Sequence, residues 1–73
     1  MQLYADIDGD SGVHGFEIKD TSITVWFSET QKPYIYSYQS AGQIHVDKMK
    51  LLALSGDGLN SYINKNVKFK YVR

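Results

Sequence analysis

Acidic side chains in the stretch Asp6-Ile7-Asp8-Gly9-Asp10-Ser11-Gly12-Val13-His14-Gly15-Phe16-Glu17 fall at its first, third, fifth and twelfth places. A calcium loop draws carboxylate oxygens from these places, because a hard divalent cation needs about six to eight oxygen ligands. The stretch departs from such a loop at its sixth place, where Ser11 stands and the glycine of the sharp turn has moved to Gly12. Its flanks alternate in polarity with a period of two, so the helices that brace a calcium loop are missing. Asp6, Asp8, Asp10 and Glu17 are thus the metal-ligand set the chain offers. A glycine-rich turn whose aspartates bond their own backbone is the preferred reading of it.

The other chemical motifs are weaker. Gly9-Asp10-Ser11-Gly12 spells a string found around the nucleophile of trypsin-like proteases. Activating that serine requires a base and an orienting acid held by a far larger double barrel, so Ser11 reads as a turn residue. His14 and His45 are the only imidazoles and lack ligand spacing. The chain has no cysteine, which excludes disulfides, thiolate zinc sites and thiol nucleophiles. Gly56-Asp57-Gly58-Leu59-Asn60 lacks the lysine of a phosphate-binding loop. These residues predict a protein with no catalytic group and no cofactor.

Seventy-three residues, 42% of them hydrophobic and 14% aromatic, predict one globular domain spanning 1–73, stabilised by packing alone. The N-terminus has neither a basic start nor an apolar run, and no segment approaches the ~18 apolar residues of a membrane span. The expectation is a cytoplasmic protein with no membrane partner. Net charge is zero, but its distribution is uneven. Residues 1–30 carry six acids against one lysine, and residues 48–73 carry six basic residues against one acid, or minus five and plus five.

The elements that must position these groups follow from periodicity. Leu3, Ala5 and Ile7 alternate with Gln2, Tyr4, Asp6 and Asp8, which predicts a first strand with its apolar side on the core. His14–Lys19 is a second strand, with Phe16 and Ile18 inward. Ser22–Phe27 is a third, with Ile23, Val25 and Phe27 inward and Thr24 and Trp26 outward. In Tyr34–Tyr38, Tyr34, Tyr36 and Tyr38 share one face, and Pro33 costs little at the strand's start. Val46, Met49, Leu52 and Ala53 recur at helical intervals and leave Lys48 and Lys50 off the seam. Gly56 closes that helix, and Asp57 is placed to cap a short one carrying Leu59, Tyr62 and Ile63. Val67–Val72 returns to period two as a last strand, with Lys68 and Lys70 outward. The fold class predicted is α+β: a small antiparallel sheet of four to five strands with one or two helices packed on one face.

On that arrangement Trp26, Lys68 and Lys70 share the open sheet face. An aromatic beside lysines is what single-stranded nucleic acid uses, with rings under bases and ammonium groups at phosphates. A covered Trp26 with solubilising lysines is the plainer alternative, and an inverted face would expose the tyrosines instead.

Tyr34-Ile35-Tyr36 (or Tyr36-Ser37-Tyr38), the apolar helix, and the spacing Gly56, Leu59, Asn60, Ile63 together resemble the KTSC domain. This is a small module found at the C-terminus of some lysyl-tRNA synthetases and as stand-alone bacterial proteins. The likeness covers residues 15–72, leaving 1–14 as an acidic leader strand and turn. The chain departs from the family at Leu54, where a small polar residue is usual, and in lacking a proline near the helix start. The resemblance implies a non-enzymatic RNA-binding role and carries over no catalytic residue. A protein-interaction or self-associating module, using an apolar sheet face or a free edge, is the alternative.

Overall fold

Ser22–Phe27 alternates most cleanly, and the sheet is assembled around it. The computed structural model of the protein describes residues 1–7, 12–28 and 32–72. Among them four strands form one antiparallel sheet in chain order: β1 (Gln2–Leu3), β2 (Val13–Lys19), β3 (Ser22–Phe27) and β4 (Tyr34–Ser37). Helices follow as α1 (Tyr38–Ala41), α2 (Gln43–Ser55) and α3 (Leu59–Tyr62), the last continuing into a π-helical turn at Ile63–Val67. The class is α+β.

Register decides the inner face. Val25 lies between Phe16 and Tyr34, and Ile23 between Ile18 and Tyr36, so these side chains project together. Phe16, Ile23, Val25 and Tyr36 are buried in one cluster with Val46, Met49 and Ala53 of α2, Leu59 of α3, and Ile63 and Val67 of the π turn. Each large apolar side chain so buried contributes about 1.5–3 kcal/mol. The ion pairs Lys19–Glu17 at 3.6 Å and Lys50–Asp47 at 3.8 Å contribute under about 1 kcal/mol each. Packing, not charge, holds the layers together. Among the described residues no helix is long and apolar enough to cross a membrane.

Local chemistry sets the joints. The Ser37 hydroxyl accepts from the Ser40 N–H at 2.9 Å, and the Ser40 hydroxyl accepts from the Ser37 N–H at 3.0 Å. This reciprocal cap turns the chain from β4 into α1, so Tyr38 leaves the ladder predicted for it. Its hydroxyl instead donates to Asp47 at 2.6 Å, a bond that raises its pKa. Lys50 sits 5.1 Å from the centre of the Tyr38 ring and donates to the Asp20 carbonyl at 3.0 Å. It therefore ties α2 to the β2–β3 turn and is not a free surface lysine. Gly56 closes α2 as predicted, in the left-handed conformation with φ 76°. Gly58 holds the cap position before α3, with φ 83° and no side-chain hydrogen bond, so Asp57 does not play the capping role expected of it.

Two predicted strands are corrected. At the N-terminus the ladder ends after Leu3, and Asp6 turns away with φ 50°. Tyr4 is the buried residue and Leu3 and Ile7 are exposed, because the inner position belongs to the tyrosine, whose hydroxyl accepts from the Leu59 N–H at 3.2 Å. The choice of parity flips every side chain of such a segment. At the C-terminus Val67–Val72 is not a strand. Leu59, Ile63 and Val67, four residues apart, form one stripe, all buried, and this helical spacing claims Val67 ahead of the alternation that follows it. A turn closes with the Lys70 N–H on the Val67 carbonyl at 2.9 Å, and the segment then touches the sheet through the Val72 N–H on the Ile35 carbonyl at 2.6 Å.

A methyl group at Gly56 would stand 2.6 Å from the Ala5 Cβ on a backbone that disfavours L side chains. Gly56→Ala is expected to cost about 2 kcal/mol or more in urea unfolding. Adding Ala5→Gly relieves the collision and leaves only the strain; additive losses would place the two residues too far apart to touch.

Candidate nucleic-acid interface

Trp26 and Phe27 are consecutive in β3 and point to opposite faces. Trp26 lies outward, opposite Gly15 in the register. A Cβ at Gly15 would meet the Met1 side chain at 2.5 Å and the Gln2 carbonyl oxygen at 2.8 Å, so Met1 covers the same patch and Trp26 is half-buried. Glu17, Thr24 and Ile35 share this outer face by register. Lys68 does not. With the last strand replaced by a turn, Lys68 lines the helix side of the sheet with Tyr34 and Tyr36, so the predicted grouping of Trp26 with Lys68 is not formed.

The inner face holds a different grouping. Pairing of β3 with β4 ends at Val25 and Tyr34, so Phe27 extends beyond the ladder. Its ring meets Tyr34 edge-on at 5.5 Å, and Tyr34 meets Tyr71 at 4.7 Å. Tyr71 in turn stands 6.4 Å from Tyr36. These rings, with Ile63 and Asn64 of the π turn and Lys68 and Phe69 of the turn after it, line a cavity of about 210 Å³. π turns recur at functional sites because they widen the helix and re-aim its side chains.

The cavity combines aromatic rings with the hydroxyls of Tyr34, Tyr36 and Tyr71, the Asn64 amide and the Lys68 ammonium. Burial first, then the neighbouring Tyr34 and Tyr71 hydroxyls, push the Tyr36 hydroxyl up to about 12. The Lys68 ammonium lies 5.4 Å from the centre of the exposed Phe69 ring. From Gly58 to Arg73 the sequence has no acid, and among the described residues Lys65, Lys68 and Lys70 are in no ion pair. A ring-lined hole with an ammonium at its rim disfavours a cationic guest, which aromatic faces alone would attract. It suits a flat ring carrying an anion.

Asp6 follows β1 in a turn, while Glu17 lies outward on β2 beside Lys19. Asp8, Asp10 and Ser11, the centre of the predicted acidic loop, lie outside the described residues. Among the described residues no three histidines or carboxylates cluster about a point. His14 is exposed, and His45 Nδ1 is 2.8 Å from the Tyr62 hydroxyl. The periodicity placed Phe27, Tyr34, Tyr36 and Tyr71 on the inner layer but left the cavity among them unseen. The available signal was the hydroxyl on three of the four rings, since a buried tyrosine keeps a polar end that needs a partner or water.

In the folded chain Tyr36 keeps its proton between pH 10 and about 12, where the unfolded chain releases it. Stability from this group is complete below pH 10 and falls across that interval. Tyr36→Phe should remove this fall, so that by pH 12 the variant gains about 2–3 kcal/mol on the parent relative to their difference at pH 8. Parallel alkaline unfolding curves would show that the hydroxyl titrates normally. No family model, no curated protein and no solved structure matches the chain.

Proposed function

We propose that this chain is a non-enzymatic binding module for single-stranded RNA, with one base at the cavity between β3, β4 and the π turn, and Lys68 and Lys70 meeting phosphates. The observation that carries the reading is the ring-lined cavity with Lys68 on its lip and a basic, acid-free segment running past it. Aromatic faces accept bases without regard to sequence, and lysines follow the backbone. A volume of about 210 Å³ is below the ~300–1,000 Å³ of sites for drug-sized ligands, so the cavity takes one ring and not a stack. Trp26, on the far face, is outside this contact set. A KTSC assignment belongs to the same proposal and rests on Tyr34, Ile35, Tyr36, Gly56, Leu59, Asn60 and Ile63; it would imply the same ligand and a cytoplasmic site of action.

A second reading has its own observation. Met1, Leu3 and Ile35 are exposed on the outer sheet face around Trp26, an apolar surface of the kind that takes a protein partner or a second copy.

Fluorescence anisotropy with a labelled single-stranded RNA, repeated across a salt series, tests the proposal. Lys68→Ala with Lys70→Ala should weaken binding and reduce the slope of log K against log salt by about 0.7 for each phosphate no longer neutralised. Trp26→Ala should leave both unchanged. An unaltered slope in the double variant would overturn the assignment. A mass that rises with protein concentration, in a chain indifferent to RNA, would favour the second reading.

A further inference from the structure

α2 is apolar on two sides, and the core uses one of them. Val46, Met49 and Ala53 face the sheet and are buried. At about 100° per residue, Ile44 and Leu51 lie on the opposite side, seven residues and nearly two turns apart. They are 83% and 65% exposed, and Leu54, one turn beyond Leu51, is 60% exposed. A helix with one buried face ordinarily turns polar side chains outward. Three large apolar groups in an outward stripe mark a surface that a partner covers.

The charges beside the stripe indicate which partner. Between Ile44 and Leu51, Asp47 stands on one flank and Lys48 on the other, each about 50° from the stripe. The Asp47 carboxylate accepts from the Tyr38 hydroxyl and lies 3.8 Å from Lys50, yet its side chain is 48% exposed. Lys48 is exposed and in no ion pair among the described residues. When two copies of such a helix pack in parallel, a two-fold axis runs along the seam, and the left flank of each meets the right flank of the other. Ile44 then meets Ile44, Leu51 meets Leu51, and each Asp47 faces Lys48 of the second copy. Antiparallel packing would set Asp47 against Asp47 and Lys48 against Lys48, and like charges across an interface cost affinity. We infer that the outward face of α2 is a self-association surface, on which a second copy of this chain packs with its α2 parallel to the first. The surface lies across the helix layer from Met1, Leu3 and Ile35, and it is independent of the RNA reading. A helix of 13 residues is about 20 Å long, too short to supply the ~800 Å² per partner of a standard interface. The dimer is therefore weak and forms as concentration rises.

Sedimentation equilibrium of the full chain without RNA, from about 10 µM to about 1 mM, should show the mass rising from one chain towards two. Leu51→Ala, at an exposed position, should weaken association by about tenfold or more. Lys48→Glu makes both flanks acidic and should weaken it similarly, whereas an antiparallel pair would only exchange one like-charge contact for another. Asp47→Lys makes both flanks basic; alone it should not associate, and an equimolar mixture with Lys48→Glu should. Recovery on mixing is a readout that a merely structural role would not produce. Should Asp47→Lys fail to fold for want of its bond to Tyr38, Leu51→Ala and Lys48→Glu decide the matter without it. Ile35→Thr, on the outer sheet face, should leave the dimer intact. A single-chain mass across the whole range overturns the inference, as does a dimer that tolerates Leu51→Ala and Lys48→Glu or is lost with Ile35→Thr.

Discussion

One sheet face covered by two apolar helical stripes is the constraint from which the rest of this structure follows. A chain of 73 residues has little material with which to bury a sheet. Val46, Met49 and Ala53 on α2 cover one part of it, and Leu59, Ile63 and Val67 cover another. Pairing of β3 with β4 ends at Val25 and Tyr34, and beside the touching rings of Phe27 and Tyr34 the two stripes leave a space unfilled. The cavity is the remainder of that coverage.

The same economy sorts the polar groups. Lys50 is drawn to Asp47, the Tyr38 ring and the Asp20 carbonyl, so part of the C-terminal positive charge is spent inside the fold. Lys65, Lys68 and Lys70 remain exposed, on the segment that also supplies a wall of the cavity. The charge asymmetry of the sequence therefore survives where the rings are, and a neutral chain presents a basic edge beside an aromatic one.

Much of this was legible beforehand because periodicity reports burial directly. The inward set of β3, the seam of α2 and the left-handed close at Gly56 all follow from spacing and from the steric freedom of one glycine. What failed were two segments in which one pattern competed with another. At the N-terminus either parity of Gln2–Ile7 suits an edge, and a tyrosine with a hydrogen-bonding hydroxyl took the inner place. At the C-terminus the alternation of Val67, Phe69 and Tyr71 was overridden by a helical stripe that began at Leu59 and reached Val67. That override also separates Lys68 from Trp26: a strand would have carried Lys68 and Lys70 to the face of Trp26, whereas a turn sets Lys68 beside Phe27 and Tyr34.

The π turn explains how a stripe of residues four apart stays aligned over the sheet. An α-helix needs about 3.6 residues per turn, so a four-residue repeat overshoots by roughly 40° at each step. Leu59, Ile63 and Val67 would drift around the cylinder if the winding were uniform. Widening the turn at Ile63–Val67 absorbs the excess and returns Val67 to the core. The aim of everything beyond is set by this angular correction, including Lys68 and Phe69 at the cavity. The number of residues between Leu59 and Lys68 is thus as much a specification of the site as the side chains that line it, since the segment works as a phase adjuster between core and surface.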